Sequence, residues 1–220
     1  SEFDGGFAQY CVAKAKESFP INCDWSDIEL ASIPISYSTA EGMLCRADVE
    51  KETILITGAS GGVGSAAIQL AKIRGATIIA QCSPDKASFL KDLGADQTVN
   101  RSDNLVKVLG KNSVDVVFDL VGGSSWPQLL DIIKPGGKYV TSGAIAGPIV
   151  DLDLRSLYLK DLTLYGSTVN DPFVFENVIR YIEEGQIKPL VAQSFPLKEI
   201  HKAQKVFMEK KFIGKIVLIP

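Results

Sequence analysis

The chain has 220 residues, 46% hydrophobic and 22% charged, the size and profile of a globular protein with one large core. Its 23 Lys and Arg against 26 Asp and Glu give a net charge of −3 with no basic face, which argues against a nucleic acid partner. No apolar run reaches the roughly 18 residues of a membrane helix, and the single histidine, His201, excludes a multi-histidine metal site.

The cysteines Cys11, Cys23, Cys45 and Cys82 fall at no metal-ligand spacing and read as reduced thiols of a cytoplasmic protein. The opening Ser1-Glu2-Phe3-Asp4 is polar and acidic, unlike a signal peptide, and Ser1-Glu2-Phe3 reads as a cloning remnant. Gly5–Val12 reads as a short strand, and Ile21–Ile35 as a loop with a short helical piece around Trp25 and Ile28. Ser38–Val49 reads as a helix capped by Ser38 or Thr39, with Glu41 supporting the first turn. A buried strand, Thr53–Thr57, then runs into a glycine-rich turn, Gly58–Gly64, and a helix, Ser65–Lys72, closed by Gly75.

Further strands are expected at Thr77–Gln81, Thr98-Val99, Val114–Asp119, Lys138–Ser142, Leu162–Tyr165 and Ile216–Ile219. Helices are expected from the 82–86 turn to Leu93, at Asp103–Leu109, at Trp126–Lys134 with Pro127 in its first turn, at Val174–Glu184 and at Glu199–Lys210. Pro135-Gly136-Gly137 reads as a turn. Strands alternating with helices predict an α/β fold, a doubly wound parallel sheet of the Rossmann type in the order 3-2-1-4-5-6.

The glycine-rich turn is the centre of the functional reading. A helix N-terminus offers unpaired N–H groups and a partial positive charge to a phosphate. In Ala59-x-Gly61-x-x-Gly64 an alanine stands where the dinucleotide fingerprint has its first glycine. Gly61 and Gly62 give a ligand room, and Gly64 lets the helix pack on its strand. A diphosphate is expected against the amides of residues 60 to 64, so Ser60, Gly61, Gly62 and Val63 are candidate cofactor residues. Another nucleotide, a methyl donor or a plain strand-turn-helix are the alternatives. Strand two ends in Gln81-Cys82-Ser83, without the carboxylate that holds an NAD ribose. Ser83 and Lys86 could instead bind a 2′-phosphate, which points to NADP. The plainer account makes Ser83 a cap and Lys86 a solvated charge.

The chain resembles the medium-chain dehydrogenase/reductase superfamily, most closely its quinone oxidoreductase-like branch. The resemblance is carried by Ile56–Gly64, Leu93-Gly94-Ala95-Asp96, Asp115–Gly123, Lys134-Pro135-Gly136-Gly137-Lys138 and Gly214-Lys215-Ile216-Val217-Leu218. It implies a catalytic domain built from both chain ends around the cofactor domain. The expected division is 1–37, a remnant of the catalytic domain, 38–185, the Rossmann domain, and 186–220, the return to the catalytic domain. It also implies that roughly the first hundred residues of a full enzyme are missing, with most of the substrate pocket. By resemblance, Arg101 lies near the adenosine, Thr39, Val121, Ser142 and Gly143 near the nicotinamide, and Lys215 near the phosphates. Ile35 matches the zinc-ligand position of zinc-dependent relatives and cannot ligate, so no metal is expected.

The expected function is an NADP-dependent oxidoreductase acting on a quinone, enone or carbonyl/alcohol substrate, as a homodimer with no membrane partner. This chain itself is expected to bind cofactor and turn over poorly. The alternative is a non-catalytic nucleotide-binding or structural protein that keeps the fold. Short-chain dehydrogenases share a related glycine motif, but their Tyr-x-x-x-Lys pair occurs here only at Tyr10–Lys14, upstream of the glycine turn. His201 reads as a surface residue, Tyr37 as packing, Glu41 as an offset to a helix dipole, Glu183-Glu184 as a solvated helix end, and Trp126 as an anchor of its helix to the sheet.

Overall fold

A computed structural model describes residues 5–220, so the reading of Ser1-Glu2-Phe3 lies outside the described residues. After a stretch of coil, α1 (Asp27–Ala31) and α2 (Pro34–Arg46) lead into β1 (Thr53–Ile56) and α3 (Gly62–Ile73). Then come β2 (Thr77–Cys82), α4 (Ala87–Leu93), β3 (Gln97–Asn100), α5 (Leu105–Leu109) and β4 (Val114–Asp119). They are followed by α6 (Trp126–Ile132), β5 (Ile133–Thr141), α7 (Leu154–Tyr158), β6 (Thr163–Gly166) and α8 (Pro172–Glu183). The chain closes with β7 (Val191–Pro196), α9 (Ile200–Glu209) and β8 (Lys215–Ile219).

β1 to β6 form one six-stranded parallel sheet in the order β3-β2-β1-β4-β5-β6, the predicted arrangement. Side chains alternate across it, so the sheet feeds two cores, one on each face. Ile54, Ile56, Ile78, Val116 and Phe118 pack with α2, α3 and α8 on one face. Leu55, Ile79, Val117 and Tyr139 pack with α5 and α6 on the other. Trp126 does anchor α6 to the sheet: it is 5% exposed and meets the Tyr139 ring edge-on at 5.8 Å. β7 and β8 pair in parallel in a separate two-stranded sheet, against which α1 and α9 pack.

Several expectations are corrected. Gly5–Val12 is coil, because it pairs with no strand; Phe7, Tyr10 and Val12 are left exposed. α2 begins at Pro34, whose missing N–H costs nothing in a first turn, so Ser38 and Thr39 lie inside the helix. The Ser38 hydroxyl bonds back to the Pro34 carbonyl instead of capping. Glu41 is therefore mid-helix and fully buried, where it pairs with Arg74 rather than with a helix dipole. Pro135-Gly136-Gly137 belongs to β5, at an irregularity of the β4–β5 ladder between Val114 and Val116. α7 and β7 are additions to the predicted elements. The expected 37/38 boundary falls within α2.

Candidate functional site

The glycine turn lies at the carboxyl end of β1, in the middle of the sheet. The Thr57 amide donates to the Phe118 carbonyl at 2.9 Å and the Ala59 amide to the Gln81 carbonyl at 3.2 Å, tying the turn to both neighbouring strands. Gly58 carries the left-handed conformation, φ +57°, so the conformational task of a glycine falls one residue before Ala59. A Cβ on Gly64 would stand 2.5 Å from the Gly58 carbonyl oxygen, so α3 sits directly on the turn. Gly61 is the N-cap of α3. The amides of Gly62, Val63 and Gly64 have no acceptor among the described residues, as expected of a helix N-terminus. Ser60 is half-buried beside them, and Gly61 is exposed.

Two side chains from other elements reach this helix start. A Cβ on Gly62 would stand 2.7 Å from the Ser36 hydroxyl oxygen in α2 and 2.9 Å from Lys215 Cδ in β8. Lys215 therefore lies against the first turn of α3. Burial lowers its pKa, and no carboxylate or carbonyl holds its ammonium among the described residues. Ser36 is absent from the sequence-based candidates. Thr39 lies three residues along α2 from Ser36, on the same side of the helix.

At the carboxyl ends of β4 and β5 the chain is shaped by the buried Asp119 carboxylate. It accepts from the Thr57 hydroxyl at 2.7 Å, the Val121 amide at 3.0 Å, the Gly122 amide at 3.1 Å and the Tyr139 hydroxyl at 2.7 Å. Burial, then donation to Asp119, raises the Tyr139 pKa and keeps it a donor. Val121 is thereby fixed against the turn, its Cγ2 3.1 Å from where a Gly58 Cβ would stand. The Val121 carbonyl accepts from the Ala146 amide at 2.8 Å, and Gly143 lies against the Leu120 carbonyl. Val121, Ser142 and Gly143 thus follow the carboxyl ends of β4 and β5, beside the point where the strand order reverses.

The far side of the turn holds Ser83, Asp85, Lys86 and Arg101. The Ser83 hydroxyl, foremost, and nearby Lys86 and Arg101 hold the exposed Asp85 carboxyl below its usual range. Lys86 Nζ donates to the carbonyls of Lys210 at 2.9 Å and Phe212 at 3.1 Å, tying the turn after β2 to the chain before β8. Arg101 is exposed and its amide donates to the Cys82 carbonyl at 2.9 Å. Both predicted 2′-phosphate ligands therefore already have partners within the protein.

Among the described residues no three His, Cys, Asp or Glu side chains gather, and Ile35 is an exposed aliphatic side chain.

A six-stranded parallel sheet in this order, with a glycine turn and unpaired helix amides at the end of its central strand, defines a Rossmann-type fold. The "Zinc-binding dehydrogenase" family model matches residues 62–184, more than half of the chain. The chain belongs to this family, within the medium-chain dehydrogenase/reductases. It is 30% identical over 220 residues to the acryloyl-coenzyme A reductase of Metallosphaera sedula, covering 99% of this chain and 66% of that protein. It is 30% identical over 231 residues to quinone oxidoreductase-like protein 2 of Bos taurus, covering 97% and 66%. A solved structure from Sinorhizobium meliloti 1021, provisionally named an alcohol dehydrogenase, is 48% identical with a TM-score of 0.87, covering 91% of this chain and 57% of that one. The chain thus spans just under two thirds of the length of the curated relatives it matches.

Proposed function

We propose that the chain is the cofactor-binding part of an NADP(H)-dependent oxidoreductase acting on a conjugated double bond, a quinone or a carbonyl. The observation that carries this reading is the set of unpaired amides at Gly62, Val63 and Gly64, with the unpartnered Lys215 beside them. These groups would hold the diphosphate. Val121, Ser142, Gly143 and Thr39 would flank the nicotinamide, which supplies the hydride when bound. A small-molecule substrate and a second copy of the chain are the proposed partners. The names of the acryloyl-coenzyme A reductase and quinone oxidoreductase-like relatives favour an activated double bond or quinone. Residues 27–33 and 186–220, which pack together through α1, β7, β8 and α9, are the proposed share of a second domain.

NADP is favoured by the carboxylate-free end of β2 and by Lys86 and Arg101 near it. NAD is the second reading, favoured by Asp85, whose carboxylate accepts from Ser83 and would repel a 2′-phosphate. Titration of the protein with NADPH and NADH, followed through Trp25 and Trp126 fluorescence, tests both. Tighter binding of NADPH is expected. Tighter NADH binding overturns the cofactor preference, and no response to either overturns the oxidoreductase reading.

A further inference from the structure

We propose that the Ser36 hydroxyl donates a hydrogen bond to the phosphate bound at the start of α3, a contact brought by α2 from outside the glycine turn. The inference rests on the dinucleotide reading above and adds a ligand to it. Ser36 is 1% exposed, yet its hydroxyl has no hydrogen-bond partner among the described residues. A serine inside a helix ordinarily returns its hydroxyl to a carbonyl one turn back. Ser38, in the same helix, does so onto Pro34. Ser36 does not; its oxygen instead lies 2.7 Å from where a Gly62 Cβ would be.

An unpaired buried hydroxyl opposes folding, and an alanine would fill the same space without that penalty. The hydroxyl is explained if its partner arrives with the ligand. The surroundings select an anion. The first-turn amides of α3 point outward without acceptors, and Lys215 Cδ is 2.9 Å from the same Gly62 Cβ position. α3 is 12 residues long, so its N-terminal partial charge is fully developed. A hydroxyl, the stem of a half-buried lysine and several free amides beside one helix start suit the oxygens of a tetrahedral phosphate, which accept several donors at once. Because the diphosphate is common to NADPH and NADH, this contact favours neither.

The test is Ser36→Ala, titrated with NADPH, NADH and inorganic pyrophosphate, with the melting temperature measured in parallel. The dissociation constants for both dinucleotides are expected to rise about tenfold, the scale of one hydrogen bond to a charged acceptor. Pyrophosphate binding weakens in proportion if it occupies the same point. The melting temperature of the free protein stays level or rises, because an unpaired hydroxyl has been removed. Unchanged dinucleotide affinity in Ser36→Ala, alongside a wild-type protein that binds, overturns the Ser36 inference and leaves the dinucleotide reading standing. A fall in melting temperature with unchanged affinity makes Ser36 structural and overturns it too. A wild-type protein that binds neither dinucleotide overturns both.

Discussion

The Tyr139 hydroxyl donates to Asp119 Oδ2 at 2.7 Å, and both side chains are buried. Through Asp119 this contact joins β5 to Thr57 at the end of β1 and to the amides of Val121 and Gly122. One carboxylate therefore holds the ends of the central strands in register around the crevice. Asp119→Ala leaves these donors unpaired and is expected to cost about 3–5 kcal/mol in urea unfolding. Tyr139→Phe removes one donor of several and is expected to cost about 1–2 kcal/mol. The reverse ranking would show that the Tyr139 hydroxyl, not the carboxylate, organises the region.

Glu41 accepts from both terminal guanidinium nitrogens of Arg74, at 2.7 and 2.9 Å, and from Asn177 Nδ2 at 3.1 Å. The carboxylate is fully buried, so α2, α3 and α8 meet on a desolvated ion pair. Arg74→Ala strands the charge and is expected to cost about 3–5 kcal/mol. The double variant Glu41→Leu/Arg74→Met, with both charges gone, should be more stable than Arg74→Ala alone. A double variant as unstable as the sum of its parts would refute this coupling.

Gly62 and Gly64 are two residues apart and should fail differently. An added methyl on Gly64 meets backbone, the Gly58 oxygen at 2.5 Å and Ala59 Cα at 2.6 Å. Gly64→Ala should therefore lower stability by about 1–3 kcal/mol, the scale of overpacking. On Gly62 the atoms nearest the methyl belong to the side chains of Ser36 and Lys215, which can give way. Gly62→Ala should fold with near wild-type stability and lose dinucleotide affinity. Equal melting temperatures for the two variants would contradict the geometry.

Acid should destabilise the fold through carboxylates the native state holds charged. The Ile78 amide, foremost, with Lys72, keeps the Asp96 carboxyl below its ordinary value of 3.8. At Asp115 burial pushes upward, but Lys134 and the Thr53 amide outweigh it and the net direction is again down from 3.8. A folded-state pKa below the unfolded one gives stability that is complete above the unfolded value and lost as pH falls through the folded one. From these groups the melting temperature should be level between pH 7 and about 5 and fall below about 4. Asp96→Asn should melt lower at pH 7 and show a shallower acid slope. An unchanged slope would remove Asp96 from the account.

Lys86→Ala tests the cofactor preference. If Lys86 meets a 2′-phosphate, its loss should weaken NADPH about tenfold and NADH little. Equal losses would assign Lys86 to the Lys210 and Phe212 carbonyls alone. A melting curve on the same variant separates that loosening of the tail from lost ligand contact.

The sheet order was legible because β1 and β4 are apolar runs joined to helices by glycine turns, a pattern that allows few topologies. The glycine turn and the start of α3 were legible for the same reason: Gly61, Gly62 and Gly64 are close in sequence and their backbone roles are local. Ser36 was not, because its position at Gly62 depends on how α2 packs against α3. Asp119 read as the last residue of a strand, since its donors Thr57 and Tyr139 are distant in the chain. The start of α2 misread because Ser38-Thr39 has cap chemistry, while Pro34 begins the helix without a cap. β7 was missed because Ala192, Gln193 and Ser194 are exposed and, among the described residues, its only strand partner is β8.

The central claim is that a dinucleotide diphosphate rests on the first turn of α3. The direct test is an amide-resolved NMR titration of the labelled protein with NADPH. The account predicts that the largest shifts fall on Gly62, Val63 and Gly64, with Lys215 also responding. Saturable binding that leaves those amides unmoved while shifting another surface would contradict it.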